Sequence, residues 1–432
     1  MKIGFDLSPL QGPHKMRGIG AVVTNILNNL PDVAKNDHNF VFYMKSIKDE
    51  SYSDYIDNLI DTRNLKYEVR IKPSFIINES RLPQKLRILS KMFSEIKTLY
   101  SFWTGVKGYE YKDLDIYIHT DQMEILPKMP NIKKIMIAYD IIPYILESDY
   151  LWNYSTARKE GLSLLASLGS FARRKAYIYK IRINAYRIDS VLAISKTTRS
   201  DFIKVVRVNA EKIFVWYLGI DADTKNVMPV EPKHRYMKTS WGNIRRPYVI
   251  DKSRPYLLFV GGTDSRRKLD DLAFAFNQLR AQGLEIQLFF SGDILRGADD
   301  LPVLKSREAL LDSSYKDDIV YFGFTSEEEK RWLYENSLAF IYPSVYEGFG
   351  LPVLEAMING APVITYKNSS IYEIAGNNAL YANDGISIKD QVKNILNDEG
   401  LKNKYIQNGK DLALIFSWEN SMKKFMSHIS KV

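Results

Sequence analysis

The sequence contains no cysteine and only five histidines among 432 residues. Without cysteine the chain can form neither a disulfide framework nor a cysteine-ligated metal site, which is compatible with a reducing compartment. No Ser-His-Asp or Cys-His set is recognisable in the sequence. We therefore do not expect a hydrolase that uses nucleophilic catalysis.

A long apolar run is also absent. No uninterrupted apolar stretch approaches the roughly 18 residues that a membrane-spanning helix needs. The residues from Met1 to Asp6 have the pattern of a short strand rather than of a signal peptide. We therefore expect a cytoplasmic protein, with a peripheral position on the inner face of the cytoplasmic membrane as an open alternative.

The chain is basic, with a formal net charge of +9 and a pI near 9.1. Such a charge suits nucleic acid, anionic lipid or a phosphorylated substrate. Nucleic acid is the weaker choice, because no zinc-finger spacing, RNA-binding aromatic motif or basic tail is present. Basic residues concentrate in 81–112 and 151–190, interleaved with aliphatic and aromatic residues. These regions could rest on an anionic membrane, or they could form solvated basic faces of packed helices.

Short apolar runs alternate with polar or amphipathic segments along the chain. This alternation predicts an α/β protein with parallel sheets that carry helices on both faces. Residues 219–254 are polar and rich in proline, lysine and arginine, which is typical of an inter-domain connection. The predicted strands are 2–7, 40–43, 67–71, 115–119, 135–138 and 191–195 in the first half, and 256–260, 286–290, 319–322 and 338–342 in the second.

Ligands of parallel sheets bind beyond the C-terminal ends of the strands. In the first half this rule selects the glycine loop that contains Gly18 and Gly20, the loop 139–143 and the segment after Ser195. The two glycines can approach a phosphate, or they can serve only a turn. Ser195 is placed to cap the helix that follows it.

Two loops of the second half have stronger signals. Gly261 and Gly262 follow a predicted strand and precede Arg267, Lys268 and an amphipathic helix, a combination that suits a diphosphate. A second strand-to-helix turn spans 346–355. Its glycines let backbone N–H groups approach a ligand, while its two glutamates can accept hydrogen bonds from sugar hydroxyls.

Residues 347–363 read Glu-Gly-Phe-Gly-Leu-Pro-Val-Leu-Glu-Ala-Met-Ile-Asn-Gly-Ala-Pro-Val. This run closely resembles the Glu-x7-Glu motif of glycosyltransferase family 4, whose members are retaining enzymes of the GT-B fold. The resemblance implies two Rossmann-like domains that face a central cleft, with a C-terminal helix that crosses back to the first domain. The implied domains are 1–218 with helix 412–432, which binds the acceptor, and 255–411, which binds the nucleotide sugar, joined by 219–254.

The resemblance also implies roles for individual residues. Arg267 and Lys268 would bind the nucleotide diphosphate, Glu347 would orient the transferred sugar, and Glu355 would bind the ribose. Phe324 lies where family members contact the base. The backbone groups that would surround the donor belong to Gly348, Phe349, Gly350 and Leu351.

In the first half, Gly18 and Gly20 would lie across the cleft near the diphosphate. Residues 139–143 resemble the family pattern His-Asp-x-x-Pro. Asp140 and Pro143 match it, and the resemblance implies that Asp140 is a cleft residue. Tyr139 replaces the histidine that contacts the donor sugar in the family. A phenol can still form a hydrogen bond, but it does not titrate near neutral pH.

We therefore expect a metal-independent hexosyltransferase that needs no cofactor. It would move a hexose, with mannose as one candidate, from a GDP- or UDP-linked donor to a glycan or lipid-linked glycan, as in bacterial O-antigen assembly. Two alternatives from other classes stay open. One is a different GT-B enzyme, such as a nucleotide-sugar epimerase or a phosphorylase, and the other is a non-catalytic basic binding protein.

Overall fold

The computed structural model divides the chain into two compact units, Met1–Gly219 with Trp418–Val432, and Ile220–Ser417. Residues 81–110 of the predicted basic region 81–112 lie outside the described residues. The described residues are 1–11, 18–34, 38–45, 66–72, 111–124, 126, 129–221, 228–232, 237–239, 242–244, 250–262, 264–292, 310 and 313–432.

The first unit contains a seven-stranded parallel sheet in the order β3-β2-β1-β4-β5-β6-β7. Its strands confirm every predicted strand of the first half to within a few residues. Strand order reverses between β1 and β4, which makes this pair the topological switch point. The strands are β1 Lys2–Asp6, β2 Asn39–Lys45, β3 Tyr67–Lys72, β4 Ile116–His119, β5 Lys133–Ala138, β6 Ser190–Ala193 and β7 Ile213–Val215.

Helices flank this sheet, and the last helix of the chain belongs to the same unit. Its Phe425 ring lies 5.0 Å from the ring of Trp216, and the Trp216 indole N–H donates to the Ser421 carbonyl at 3.0 Å. These contacts bury the apolar face of the terminal helix. The helices are α1 Gly18–Ala34, α2 Ile142–Ile145, α3 Tyr154–Lys159, α4 Leu164–Arg187, α5 Lys196–Asp201 and the terminal α12 Trp418–Ile429.

The glycine loop is shorter than the sequence suggested. Helix α1 begins at Gly18, so the prediction that Gly18 and Gly20 lie in a loop was wrong. Because glycine has a low helix propensity, the sequence predicted that the helix would start after both glycines, at Val22. Burial of Val22, Val23 and Ile26 stabilises the helix and carries it back over both glycines.

The second unit contains a six-stranded parallel sheet in the order β12-β11-β10-β13-β14-β15. The order again reverses, between β10 and β13, and both central strands are fully buried. A short antiparallel pair, β8 Met237–Thr239 and β9 Gly242–Ile244, precedes it. The sheet strands are β10 Tyr256–Val260, β11 Gln287–Ser291, β12 Ile319–Gly323, β13 Ala339–Tyr342, β14 Val363–Tyr366 and β15 Leu380–Ala382.

All predicted strands of the second half are confirmed. They were predictable because each apolar run is long enough for one buried strand and too short for a helix. No helix in the described part of the chain is long and apolar enough to cross a membrane. The helices of this unit are α6 Leu269–Ala281, α7 Glu327–Glu335, α8 Leu351–Ile358, α9 Ser369–Ala375, α10 Gly385–Asn397 and α11 Glu399–Ala413.

Candidate functional site

The loop after β10 folds its basic residues back onto the strand end. A 3-10 turn covers Ser265–Arg267, and the Arg267 guanidinium donates to the Gly262 carbonyl at 3.0 Å. Gly261 has a φ of 151°, and a Cβ there would lie 2.7 Å from Arg267 Nη1, so glycine lets the guanidinium pack closely on the strand end. Lys268 follows with a φ of 40°, a left-handed conformation that ends the turn and starts α6.

The loop after β13 is held by hydrogen bonds at both ends. The Glu347 carboxylate accepts from the Tyr342 hydroxyl at 2.8 Å and from the Ser344 hydroxyl at 2.9 Å. The Glu347 amide donates to the Ser369 hydroxyl at 3.0 Å, and the Ser370 hydroxyl donates to the Glu347 carbonyl at 2.7 Å. Glu347 is therefore fixed in position by its own strand and by the start of α9.

These two loops meet at the switch point of the second sheet. The Val345 amide donates to the Arg266 carbonyl at 2.8 Å. The Glu347 carboxylate lies 3.3 Å from Arg266 Nε and 3.8 Å from Arg267 Nε. The structure thus brings together the basic segment and the glutamate that the sequence placed about 80 positions apart.

Burial and charge act in opposite directions on Glu347, which is only 8% exposed. Burial alone would raise the pKa of this carboxyl. The neighbouring Arg266 and Arg267 guanidinium groups, with the hydrogen bonds from Tyr342 and Ser344, outweigh burial and lower the pKa. Glu347 is therefore an ionised, buried carboxylate at neutral pH.

Arg266 is a site residue that the sequence did not indicate. Its guanidinium lies between two carboxylates, with Nη1 2.7 Å from Asp264 and Nε and Nη2 facing the two oxygens of Glu347 at 3.3 and 3.5 Å. The sequence shows only an arginine beside the Arg267-Lys268 pair. No local pattern reveals a contact to a residue in a distant loop.

We expect Arg266→Met to make the transferase activity that the sequence resemblance implies more sensitive to acid. Without this cation the pKa of Glu347 rises, so the ionised carboxylate is lost at a higher pH as the solution is acidified. The acid limb of the pH–rate profile should move to higher pH, and Arg266→Lys should restore part of the shift. Arg280→Met removes another paired arginine of this unit, bound to Glu285 and Asp318, and should leave the limb in place. An unshifted limb in Arg266→Met would contradict the assignment.

Helix α8 begins directly behind Glu347. Gly350 occupies its N-cap position with a φ of 108° and no side-chain cap, and Pro352 stands in the first turn. A Cβ on Gly350 would lie 2.7 Å from the Ile371 side chain, so the close packing on α9 also requires glycine. The first-turn N–H groups of a helix have no intrahelical partner, and their dipoles favour an anion.

Glu355 lies one helical turn further along α8. Its carboxylate is 3.4 Å from the Lys330 ammonium and 3.3 Å from the Tyr334 hydroxyl. Burial opposes the charge of Lys330, but Glu355 and Glu327 raise its pKa overall. Phe324 follows β12 and is 50% exposed, so an aromatic surface lies beyond the end of the edge strand of the same sheet. The roles of Glu355 with ribose and of Phe324 with the base stay predictions.

In the first unit, Tyr139 lies at the end of β5 and is only 4% exposed. Both of its backbone polar groups have partners inside the unit. The Tyr139 amide donates to the Gln122 side chain at 3.1 Å, and the Tyr139 carbonyl accepts from the Thr198 hydroxyl at 2.6 Å. Burial raises the pKa of the Tyr139 phenol well above its usual value. The proposed sugar contact therefore depends on a neutral, buried hydroxyl.

Asp140 and Ser195 have local structural roles. The Asp140 carboxylate accepts from the Ile142 amide at 3.0 Å. Ser195 caps α5 by accepting from the Thr198 amide at 2.9 Å, which confirms its predicted capping role. Gly18 is exposed and Gly20 is buried. Ligand roles for Asp140, Gly18 and Gly20 stay predictions.

The sequence also did not indicate a buried charge cluster at the switch point of the first sheet. Asp6, at the end of β1, is fully buried, and its carboxylate lies 2.5 Å from the Lys72 ammonium and 3.5 Å from His119 Nδ1. Burial opposes ionisation, yet Lys72 and His119 keep the pKa of Asp6 well below its usual range. These residues come from three strand ends, so no sequence spacing connects them.

The described residues contain no group of three or more His, Asp or Glu side chains arranged to hold a metal ion. At the second switch point, cationic side chains and helix N–H groups can neutralise an anion. The site can hold an anionic group beside a buried carboxylate. This combination suits a ligand that carries both phosphate and hydroxyl groups.

Comparison with known proteins finds a family and relatives that this chain resembles. Residues 242–412 match the family model of glycosyl transferases group 1. The chain is 29% identical to O-antigen chain mannosyltransferase B of Escherichia coli over 235 residues, which cover 53% of this chain and 57% of that protein. It is 22% identical to O-antigen chain mannosyltransferase RfbU of Salmonella typhimurium over 80% of this chain and 79% of that one.

The alignment with the first of these relatives thus spans a little over half of that protein's length, 57%. The fold is also similar to the crystal structure of Anabaena HepE in complex with UDP-glucose, with a TM-score of 0.63, 14% identity and coverage of 100% of both chains. The two parallel sheets and this similarity show the GT-B fold, which confirms the predicted fold class. Over residues 242–412 the chain is similar to the glycosyl transferases of group 1.

Proposed function

We propose that this protein is a retaining glycosyltransferase that transfers a hexose from a nucleotide-diphosphate sugar. The observation that carries the proposal is the contact of Glu347 with Arg266 and Arg267 beside the uncapped start of α8. The similarity of residues 242–412 to the group 1 family supports the reaction class, and the HepE structure contains UDP-glucose. In this proposal the second unit binds the donor and the first unit binds the acceptor.

The diphosphate would lie against Arg267, Lys268 and the N–H groups of residues 348–351. As the sugar–phosphate bond breaks, negative charge develops on the leaving diphosphate, and fixed cations and N–H donors stabilise it. Glu347 would accept hydrogen bonds from hydroxyls of the transferring sugar, and Glu355 from the ribose. Because side chains and N–H groups supply this stabilisation, we propose that no metal or cofactor is required.

Mannose is the sugar that the relatives favour, since both mannosyltransferases named above act in O-antigen chains. We therefore propose a GDP- or UDP-linked hexose as donor, with GDP-mannose first. The acceptor would be a glycan or a lipid-linked glycan of a surface polysaccharide. We further propose a cytoplasmic location, peripheral on the inner face of the membrane.

A thermal-shift panel with GDP, UDP, ADP and their sugars tests the donor. A ligand present at 100 times its Kd adds about 2.7 kcal/mol of stability. For a unit of this size that should raise the Tm of the second unit by about 5–10 °C. The preferred compound should then support sugar transfer to an extracted lipid-linked glycan with EDTA present. Failure of every nucleotide to raise the Tm would contradict the proposal.

The same compound distinguishes the alternatives. An epimerase would convert the donor sugar with no acceptor present, and a phosphorylase would require inorganic phosphate. A non-catalytic binding protein would show neither reaction and no nucleotide-dependent rise in Tm. We expect donor consumption that depends on the glycan acceptor.

A further inference from the structure

The outward side of α4 carries a continuous exposed stripe. From Leu165 onward its members lie three, four or seven residues apart, so they share one side of a 24-residue helix that is about 36 Å long. Leu165 is 77% exposed and Tyr186 is 86% exposed. We call this surface the outer stripe; it consists of Leu164, Leu165, Leu168, Phe171, Lys175, Tyr179 and Tyr186.

The opposite side of α4 anchors the helix in the first unit. Ile178, Ile181 and Ala185 belong to the hydrophobic core of that unit. Arg174 pairs with Glu147 at 2.9 Å and donates to the Tyr144 carbonyl at 2.9 Å. The inner side of α4 is therefore packed, while the outer stripe stays exposed. The outer stripe is a rigid surface that the fold holds outward.

The charge of α4 indicates what would bind there. The helix contains no acidic residue, while its basic residues are Arg173, Arg174, Lys175, Lys180, Arg182 and Arg187. Basic and apolar groups are in direct contact, since the Lys175 ammonium lies 5.3 Å from the centre of the Phe171 ring. A second copy of the chain would place like charges against each other. A lipid bilayer offers headgroup phosphates to the basic side chains and acyl chains to the apolar ones, so it can bind both kinds of side chain.

We propose that the outer stripe is a membrane-docking surface for bilayers that contain anionic lipid. The leucines and Phe171 in the first two turns would enter the boundary of the acyl chains. Tyr179 and Tyr186 would lie at the headgroup level, as tyrosine does at membrane interfaces. Lys175 and its basic neighbours would contact lipid phosphates. The helix would lie along the surface rather than cross it.

Vesicle co-sedimentation of the full chain tests this proposal without donor or acceptor, so its outcome is independent of the proposed transferase activity. We expect binding to vesicles of phosphatidylcholine with phosphatidylglycerol, weak binding to phosphatidylcholine alone, and loss of binding at high salt. Leu165→Glu with Leu168→Glu should lower the partition coefficient about tenfold or more. Both side chains are exposed, so the fold should be kept, which circular dichroism would verify.

Two matched controls make the test specific. Ile386→Glu changes another exposed apolar residue, in the second unit, and should leave vesicle binding unchanged. Lys175→Glu should weaken binding, whereas Lys424→Glu, at an exposed position of α12, should not. Equal binding to neutral vesicles, or full binding by the double leucine variant, would overturn the proposal. A dimer in sedimentation analysis that the leucine variant dissociates would instead assign the stripe to a second copy and overturn it as well.

Discussion

Replacement of Lys268 by alanine or asparagine is expected to lower the rate of sugar transfer about 10²–10³-fold at saturating donor. Lys268 closes the loop after β10, next to Arg267, and is half-buried. Within the described residues no acidic group forms an ion pair with its ammonium, so this charge is available to the leaving diphosphate. The measurement is the initial rate of transfer, with donor and acceptor both saturating.

The two Lys268 variants distinguish the effect of the lost charge on activity from the effect of backbone strain on stability. Lys268 has a φ of 40°, which asparagine tolerates better than alanine does. The asparagine variant should therefore keep the wild-type Tm while it loses activity. Lys389→Ala is the matched control, because Lys389 belongs to the same unit but pairs with Asp390 at 3.2 Å. Wild-type turnover by the asparagine variant would remove Lys268 from the mechanism.

Replacement of Glu347 by glutamine is expected to reduce transfer by a similar factor, about 10²–10³-fold, with little change in structure. Glutamine can still accept hydrogen bonds from Tyr342 and Ser344, but it carries no charge. It would hold sugar hydroxyls more weakly as the ring becomes electron-poor. The measurement is kcat for transfer beside the Kd of the nucleoside diphosphate, which should change much less than kcat.

Alanine at position 347 should have an additional effect on stability. This substitution removes the carboxylate and leaves Arg266 and Arg267 without their shared counter-ion in a buried site. The loss of one partner of a buried ion pair costs about 3–5 kcal/mol of folding free energy. Glu347→Ala should thus lower the Tm, while Glu347→Gln should lower it much less. Glu373→Gln, on α9 of the same unit, serves as the control. Full activity in folded Glu347→Gln would show that the carboxylate has no role in the reaction.

The sequence predicted the sheets well because their signal is local. Each buried strand, such as Tyr256–Val260, is one short apolar run bounded by turn residues. The loop 347–350 was also predictable, since Gly350 is required by its positive φ and by its contact with Ile371. Where local composition determines the backbone, the sequence is sufficient.

Contacts between distant segments were not predictable in the same way. Arg266 meets Glu347 only because β10 and β13 are neighbours in the sheet. Asp6 meets His119 because β1 and β4 are neighbours, and Lys72 reaches it from the end of β3, two strands away. Helix α1 begins at Gly18 because tertiary burial outweighs the poor helix propensity of glycine. In each case the determining energy comes from the assembled sheet rather than from neighbours along the chain.

The central claim is that the loops after β10 and β13 form a nucleotide-diphosphate site. Calorimetric titration of the nucleoside diphosphate that gives the largest rise in Tm tests it most directly, with wild-type protein, Lys268→Asn and Lys389→Ala. We predict that Lys268→Asn weakens binding about tenfold to a hundredfold, as expected for loss of a charge-assisted contact, while Lys389→Ala binds as wild type does. Equal affinity of all three proteins would contradict the claim.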